Sequence, residues 1–155
     1  MQPLQIDAAT AKRLYPAAAA EFKAILDDSF GTDFFNEIPY KEITTFEIAC
    51  RVTGEDPLDP KFHTGTDDDK AYQQLKVIVK ALNPKGWIPN WDDSNQDKWG
   101  LWWYLNNPSG FRLDDAYCAY AVTGSSGGSR LCFESRDRAL HAAEHFKPVY
   151  KAFLS

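Results

Sequence analysis

Apolar side chains in the first half of this chain recur at helical spacing, and those of the middle recur at every second residue. Leu14, Ala18, Phe22, Ile25, Leu26 and Ser29 follow the helical period, and Ala17–Ala20 is a strong helix-forming run, so a helix is predicted over 8–29. Pro16 either kinks that helix or starts its main part, and Gly31 stops it. Residues 34–41 read as a loop with apolar anchors. Thr44 or Thr45 caps a short helix carrying Glu47, Cys50 and Val52, which Gly54 ends. Asp56-Pro57 and Asp59-Pro60 are turns, because the residue before proline is pushed out of the helical region. Thr66-Asp67-Asp68-Asp69 opens a further helix whose stripe is Ala71, Tyr72, Leu75, Ile78, Val79 and Leu82, closed by Asn83-Pro84 and Gly86.

The period then changes. Trp99, Leu101, Trp103 and Leu105 alternate against Trp102 and Tyr104, as on a strand. Residues 106–110 are a turn, 111–122 a second extended run bulged at Asp114-Asp115, 123–129 a glycine/serine turn, and 129–133 a short third strand. Ser135 caps a terminal helix whose buried side is Ala139, Ala142, Ala143, Phe146, Val149, Tyr150 and Phe153, with Phe146 and Phe153 set against the sheet. Pro148 must kink or break it. The fold expected is one α+β domain over 1–155. It is mainly helical over 1–84, forms an aromatic-rich antiparallel meander of three to four strands over 85–134, and packs a C-terminal helix, 135–155, on the sheet.

Five tryptophans lie between Trp87 and Trp103, and they load both faces of that sheet. A sheet with one wet face needs large apolar side chains only at alternate positions. The remainder must be covered by helices, by a second chain or by a ligand. Candidate binding residues are therefore Trp87, Trp91, Trp102, Tyr104 and Tyr117, together with Arg130 beside the glycine/serine turn.

With 155 residues, 44% hydrophobic and 25% charged, the chain has the size and balance of an ordinary globular domain. No apolar run reaches the roughly 18–20 residues that span a bilayer. Residues 1–16 lack the basic start and apolar run of a secretory signal, so a cytoplasmic location without membrane association is expected. Cys50, Cys118 and Cys132, widely spaced and odd in number, read as reduced core thiols. The net charge of −5 divides as −6 over 1–60, 0 over 61–100 and +1 over 101–155. No concentrated basic surface of the kind that binds phosphate backbones is present, which argues against nucleic acid.

The order of parts resembles a family of small proteins widespread in Bacteroidetes genomes, prophages and conjugative elements. The pieces that carry the resemblance are Arg13-Leu14-Tyr15-Pro16, Thr45-Phe46-Glu47-Ile48-Ala49-Cys50, and the run from Tyr72 through Asn83. Gly86-Trp87-Ile88-Pro89-Asn90-Trp91 follows, then Gly128-Ser129-Arg130-Leu131-Cys132-Phe133 leading into Arg138-Ala139-Leu140-His141-Ala142-Ala143. The resemblance implies a mobile-element setting and no particular activity.

Catalytic signals are sparse. His141-Ala142-Ala143-Glu144-His145 spells H-x-x-E-H, which places two histidines on one helix face with a glutamate nearby, as in inverted zinc proteases. A catalytic zinc needs a third protein ligand, and only ten residues follow. Residues 124–130 could form a backbone anion nest, but a Gly-Lys-Ser/Thr is missing and a strand follows. Asp92–Asp97 imitates a calcium loop, with Asp97 where glycine belongs and Trp103 where the twelfth-position glutamate belongs. No G-x-S-x-G elbow exists, and with His63 in a loop and the other two histidines on the last helix, spacing points to no Cys-His pair. The leading expectation is a non-catalytic accessory protein, without cofactor, that binds a protein partner or itself through the aromatic sheet face. The alternatives are a small metal-dependent hydrolase using His141, Glu144 and His145, and a single-stranded nucleic-acid binder that stacks bases on the aromatics.

Overall fold

The computed structural model describes residues 5–35, 37–105, 108, 110–119 and 130–155. The chain divides into two compact units, Met1–Ile38 and Pro39–Ser155.

In the first unit, α1 (Ala8–Leu14) starts at Asp7, whose carboxylate accepts the Thr10 N–H at 2.8 Å. Pro16 then forces a 3-10 turn over Tyr15–Ala17, and Ala18 is extended, so the helix expected over 8–29 is two helices. The second, α2 (Ala20–Phe30), ends at Gly31 with φ of 87°, and the single turn α3 (Thr32–Phe35) follows. Tyr15 stacks on Phe35 with ring centroids 4.0 Å apart and donates its hydroxyl proton to Asp27 at 2.9 Å. Phe30, Phe34 and Phe35 complete the aromatic cluster.

The second unit is built on α5 (Asp67–Leu82). Thr66 and Asp69 cap each other's backbone at its start, and the acidic first turn faces the positive helix end. Leu75, Ile78 and Leu82 are fully buried. Against α5 pack α4 (Phe46–Thr53), opened by Thr45 and closed by Gly54 in the left-handed region, and α7 (Lys147–Leu154). Pro148 breaks the terminal helix as its missing N–H requires. The helix α6 (Arg136–His145), capped by Ser135, ends at Phe146, and α7 restarts with Pro148 in its first turn. Phe146 is buried as expected, whereas Phe153 is only half-buried and stacks on Tyr72 of α5.

The sheet differs from the expected meander of three to four strands. Among the described residues it has two antiparallel strands, β1 (Trp99–Tyr104) and β2 (Arg112–Cys118), so the mixed helix-and-sheet class stands with fewer strands. Trp102 pairs with Asp115 and Trp103 with Leu113, which leaves Asp114 as the extra residue of a bulge. The third strand is reduced to one bridge, in which Trp99 and Phe133 exchange two backbone hydrogen bonds of 2.8 Å. The segment is cut short because Ser135, two residues past Phe133, already caps α6 and gives its carbonyl to the Ala139 N–H. On the side away from β1, Asn83, 8% exposed and just past the end of α5, donates its amide to the Cys132 carbonyl at 2.9 Å and accepts the Glu134 N–H at 2.9 Å, so a side chain occupies the edge a fourth strand would pair. The glycine/serine turn of 123–129, residues 120–122 of the second extended run and most of the 106–110 turn lie outside the described residues.

Removing that amide strands a buried carbonyl and a neighbouring N–H together. Asn83→Ala is expected to lower the unfolding free energy by about 1–3 kcal/mol, measured by urea denaturation. A loss within about 0.5 kcal/mol, the range of ordinary surface changes, would show that Asn83 does not hold the 131–134 segment.

Candidate functional site

The inner face of the hairpin is core. Helix α6 covers both strands with Ala139, Ala142 and Ala143, all buried. Leu101 and Trp103 point into this layer, where Trp103 stacks on Phe111 and meets Tyr150 at ring distances of 4.7 and 5.2 Å. Trp99, expected in the same set, is half-buried beside the Phe133 bridge. Trp103 Nε1 and the Tyr150 hydroxyl have no hydrogen-bond partner among the described residues, and burial pushes the Tyr150 hydroxyl pKa up. Burial likewise raises the Cys132 thiol to about 11, against a smaller opposing effect of Lys98, so the thiolate that reacts is suppressed.

The outer face carries the other register. Trp102 is 50% exposed and Tyr104 40%, against 3% and 7% for Leu101 and Trp103 beside them. Tyr117 joins this face from β2. It lies over Gly100, where a Cβ would come within 2.7 Å of the phenol ring, so glycine makes room for the tyrosine. The Tyr117 and Trp102 rings meet edge to face, 5.4 Å apart at 85°. Next along the face, the Arg112 guanidinium sits 4.5 Å from the Tyr104 ring centroid.

Charge closes the lateral edge of β2. Trp99 directs its backbone bonds to Phe133, so by alternation Gly100 and Trp102 bond β2 and the Ala116 N–H points away from β1. The Asp115 carboxylate accepts that N–H at 2.8 Å and pairs with Arg136 of α6 at 2.7 Å. These two contacts, the backbone N–H first, hold the Asp115 carboxyl below its usual pKa. A bulge and an occupied N–H are common ways of preventing edge-to-edge strand pairing. Sequence reading marked Asp115 only as part of a bulge and gave no site role to Gly100, Arg112 or Arg136. The available signal was the register: counting back from the 106–110 turn sets Arg112 opposite Tyr104.

The remaining candidates are elsewhere. Trp87 and Trp91 are half-buried in the loop between α5 and β1. That loop is tied by Gln96, which donates to the Ile88 carbonyl at 3.1 Å and accepts the Asn90 N–H, and its tip exposes Ile88. The calcium-like segment encloses an ammonium group. Lys98, fully buried, donates to the carbonyls of Asp93 and Gln96 at 2.8 and 2.9 Å, with the Trp91 ring 5.4 Å away. Arg130 is exposed, and the glycine/serine neighbours proposed to form a nest with it lie outside the described residues.

His141 and His145 do share a face of α6, with ring centroids 4.4 Å apart. His141 Nε2 is engaged with the Ile43 carbonyl at 2.8 Å, and Tyr40 meets its ring edge-on. Among the described residues the Glu144 carboxylate reaches only its neighbour His145, at 3.8 Å. Among the described residues no three His, Cys, Asp or Glu side chains converge as a metal would need. No helix among them is long and apolar enough to cross a membrane. Comparison with family models, with curated proteins and with solved structures gives no match for this chain.

Proposed function

We propose that this chain is a non-catalytic interaction protein that binds another protein surface through the outer face of its hairpin. The observation that carries this reading is the adjacent pair of open rings, Trp102 and Tyr104, standing on a strand whose alternate side chains are buried. Large aromatic rings lose few rotatable bonds on contact and are enriched at binding hot spots. Tyr117 and Arg112 extend the platform, and the Gly100 backbone beneath Tyr117 holds one ring in place. A cytoplasmic, mobile-element setting, as the resemblance implies, belongs to the same proposal.

The test uses tagged chain as bait in element-bearing host cells, with Trp102→Ala and Tyr104→Ala beside wild type. Each variant is expected to reduce specific capture by tenfold or more, the effect of a hot spot worth about 1.4 kcal/mol. The melting temperature should stay near that of wild type. Trp87→Ala and Trp91→Ala, in the loop, should leave capture intact. Equal capture by wild type and both face variants would refute the reading.

A further inference from the structure

We infer that α6 carries a chelating site for a divalent transition-metal ion of the copper(II) class, built from His141 and His145. Spacing of i, i+4 puts both imidazoles on one helix face, and their ring centroids are 4.4 Å apart. His145 is exposed and His141 half-buried, so an ion can reach the pair from solvent. The two histidines stand beside the 40–43 segment and not on the outer hairpin face, so this site stands or falls apart from the interaction reading.

The chemistry of His141 is set by its partner. A carbonyl oxygen only accepts, so the 2.8 Å contact between His141 Nε2 and the Ile43 carbonyl requires a proton on Nε2. In the neutral ring Nδ1 then holds the lone pair that a metal needs. Histidine ligands of metals commonly donate their other N–H to a backbone carbonyl, which fixes the tautomer and makes the free nitrogen more basic. Ile43 supplies that carbonyl, and the Tyr40 ring meets His141 edge-on. The polar neighbour of His145 among the described residues is Glu144 at 3.8 Å, beyond hydrogen-bond length, so the exposed ring can turn a nitrogen toward the ion.

Ring separation and ligand count select the metal. An ion about 2.0 Å from a nitrogen stands about 3.2 Å from the centroid of that ring. Two imidazoles at right angles around one ion therefore have centroids about 4.5 Å apart, and at the tetrahedral angle about 5.2 Å. The observed 4.4 Å suits adjacent corners of a square plane, the geometry of copper(II) and nickel(II), better than it suits zinc. Zinc sites draw three or four protein ligands, and among the described residues no third His, Cys, Asp or Glu joins the pair. Two neutral nitrogens with water in the other positions favour the divalent ion highest in the affinity order, which is copper(II).

The experiment titrates tag-free full-length chain with copper(II) at neutral pH, with affinity read by calorimetry and donor type by electron paramagnetic resonance. Wild type is expected to bind one ion through two nitrogens, and its melting temperature should rise with the ion bound, since the folded state alone presents the pair. His141→Gln keeps an N–H for the Ile43 carbonyl and removes the imidazole, and His145→Gln removes the second donor. Each should raise the dissociation constant tenfold or more, cut the nitrogen count to one and abolish the rise in melting temperature. His63→Gln and Cys118→Ser, which remove the remaining histidine and the half-buried thiol, should leave binding unchanged. If His141→Gln does not fold, His145→Gln, at an exposed position, decides alone. Binding that survives these substitutions within twofold, or a one-nitrogen signal in wild type, means an adventitious ion only and overturns the inference. Zinc(II) binding as tight as copper(II) overturns the choice of metal.

Discussion

Truncating Phe146 to alanine should cost about 3–5 kcal/mol of unfolding free energy, the range for deleting a fully packed aromatic ring. Phe146 is 3% exposed and sits at the break between α6 and α7. Its N–H bonds the Ala142 carbonyl at 2.9 Å, and its own carbonyl accepts the Val149 and Tyr150 N–H groups at 3.0 and 3.2 Å. Those backbone bonds survive the substitution, so the loss reports the ring alone. The cavity would open where α6, covering the sheet, turns into α7, which packs on α5. Neighbouring backbone fixed on both sides cannot collapse into it, which places the cost high in the range. Urea melts monitored by tryptophan fluorescence and by far-ultraviolet circular dichroism give the number. A loss below about 1 kcal/mol, the size of a single buried methylene, would mean that the two C-terminal helices are peripheral.

Local chemistry made the helices legible. Thr45, Thr66 and Ser135 each accept a backbone N–H at the first turn of the helix expected there, and Gly31 and Gly54 end theirs at positive φ. The two prolines that interrupt helical patterns, Pro16 and Pro148, both mark real breaks, because a missing donor acts locally and needs no tertiary context. The alternation from Leu101 to Tyr104 correctly separated buried from open side chains, since strand period is equally local. The bulge at Asp114 was readable in the same way, from paired acids inside an apolar run.

What the sequence could not show was who meets whom across a distance. The third strand looked as apolar as the other two. Ser135 ends it after one bridge by capping α6, and its far edge is closed by Asn83, about fifty positions earlier. Phe153 fits the helical stripe, but the break at Phe146 turns it toward Tyr72. The site was legible only in its aromatic half. Trp102, Tyr104 and Tyr117 were found from composition and alternation, whereas Trp87 and Trp91 share their residue type but belong to a separate loop. Arg112 and the Asp115–Arg136 clamp depend on strand register and on a helix twenty residues further on, and no periodicity encodes either. In the H-x-x-E-H motif, helical spacing did bring His141 and His145 together, but their surroundings are the Ile43 carbonyl and Tyr40.

If one hairpin face is core and the other is open, the adjacent residues Trp102 and Trp103 must respond differently to truncation. They share a side chain, a strand and very nearly a position, and differ chiefly in the face they occupy. Trp103→Ala removes a ring that is 7% exposed and stacked on Phe111 and Tyr150, so it should cost about 3–5 kcal/mol. Trp102→Ala removes a half-exposed ring whose one aromatic contact in the described residues is the edge of Tyr117, so it should cost no more than about 1.5 kcal/mol. The measurement is the difference between the two unfolding free energies by urea denaturation, at a protein concentration where the chain is monomeric. A gap of about 2 kcal/mol or more is expected, with Trp103 the costlier. Equal losses, or a larger loss at Trp102, would mean that the outer face is ordinary core and that no open aromatic surface exists.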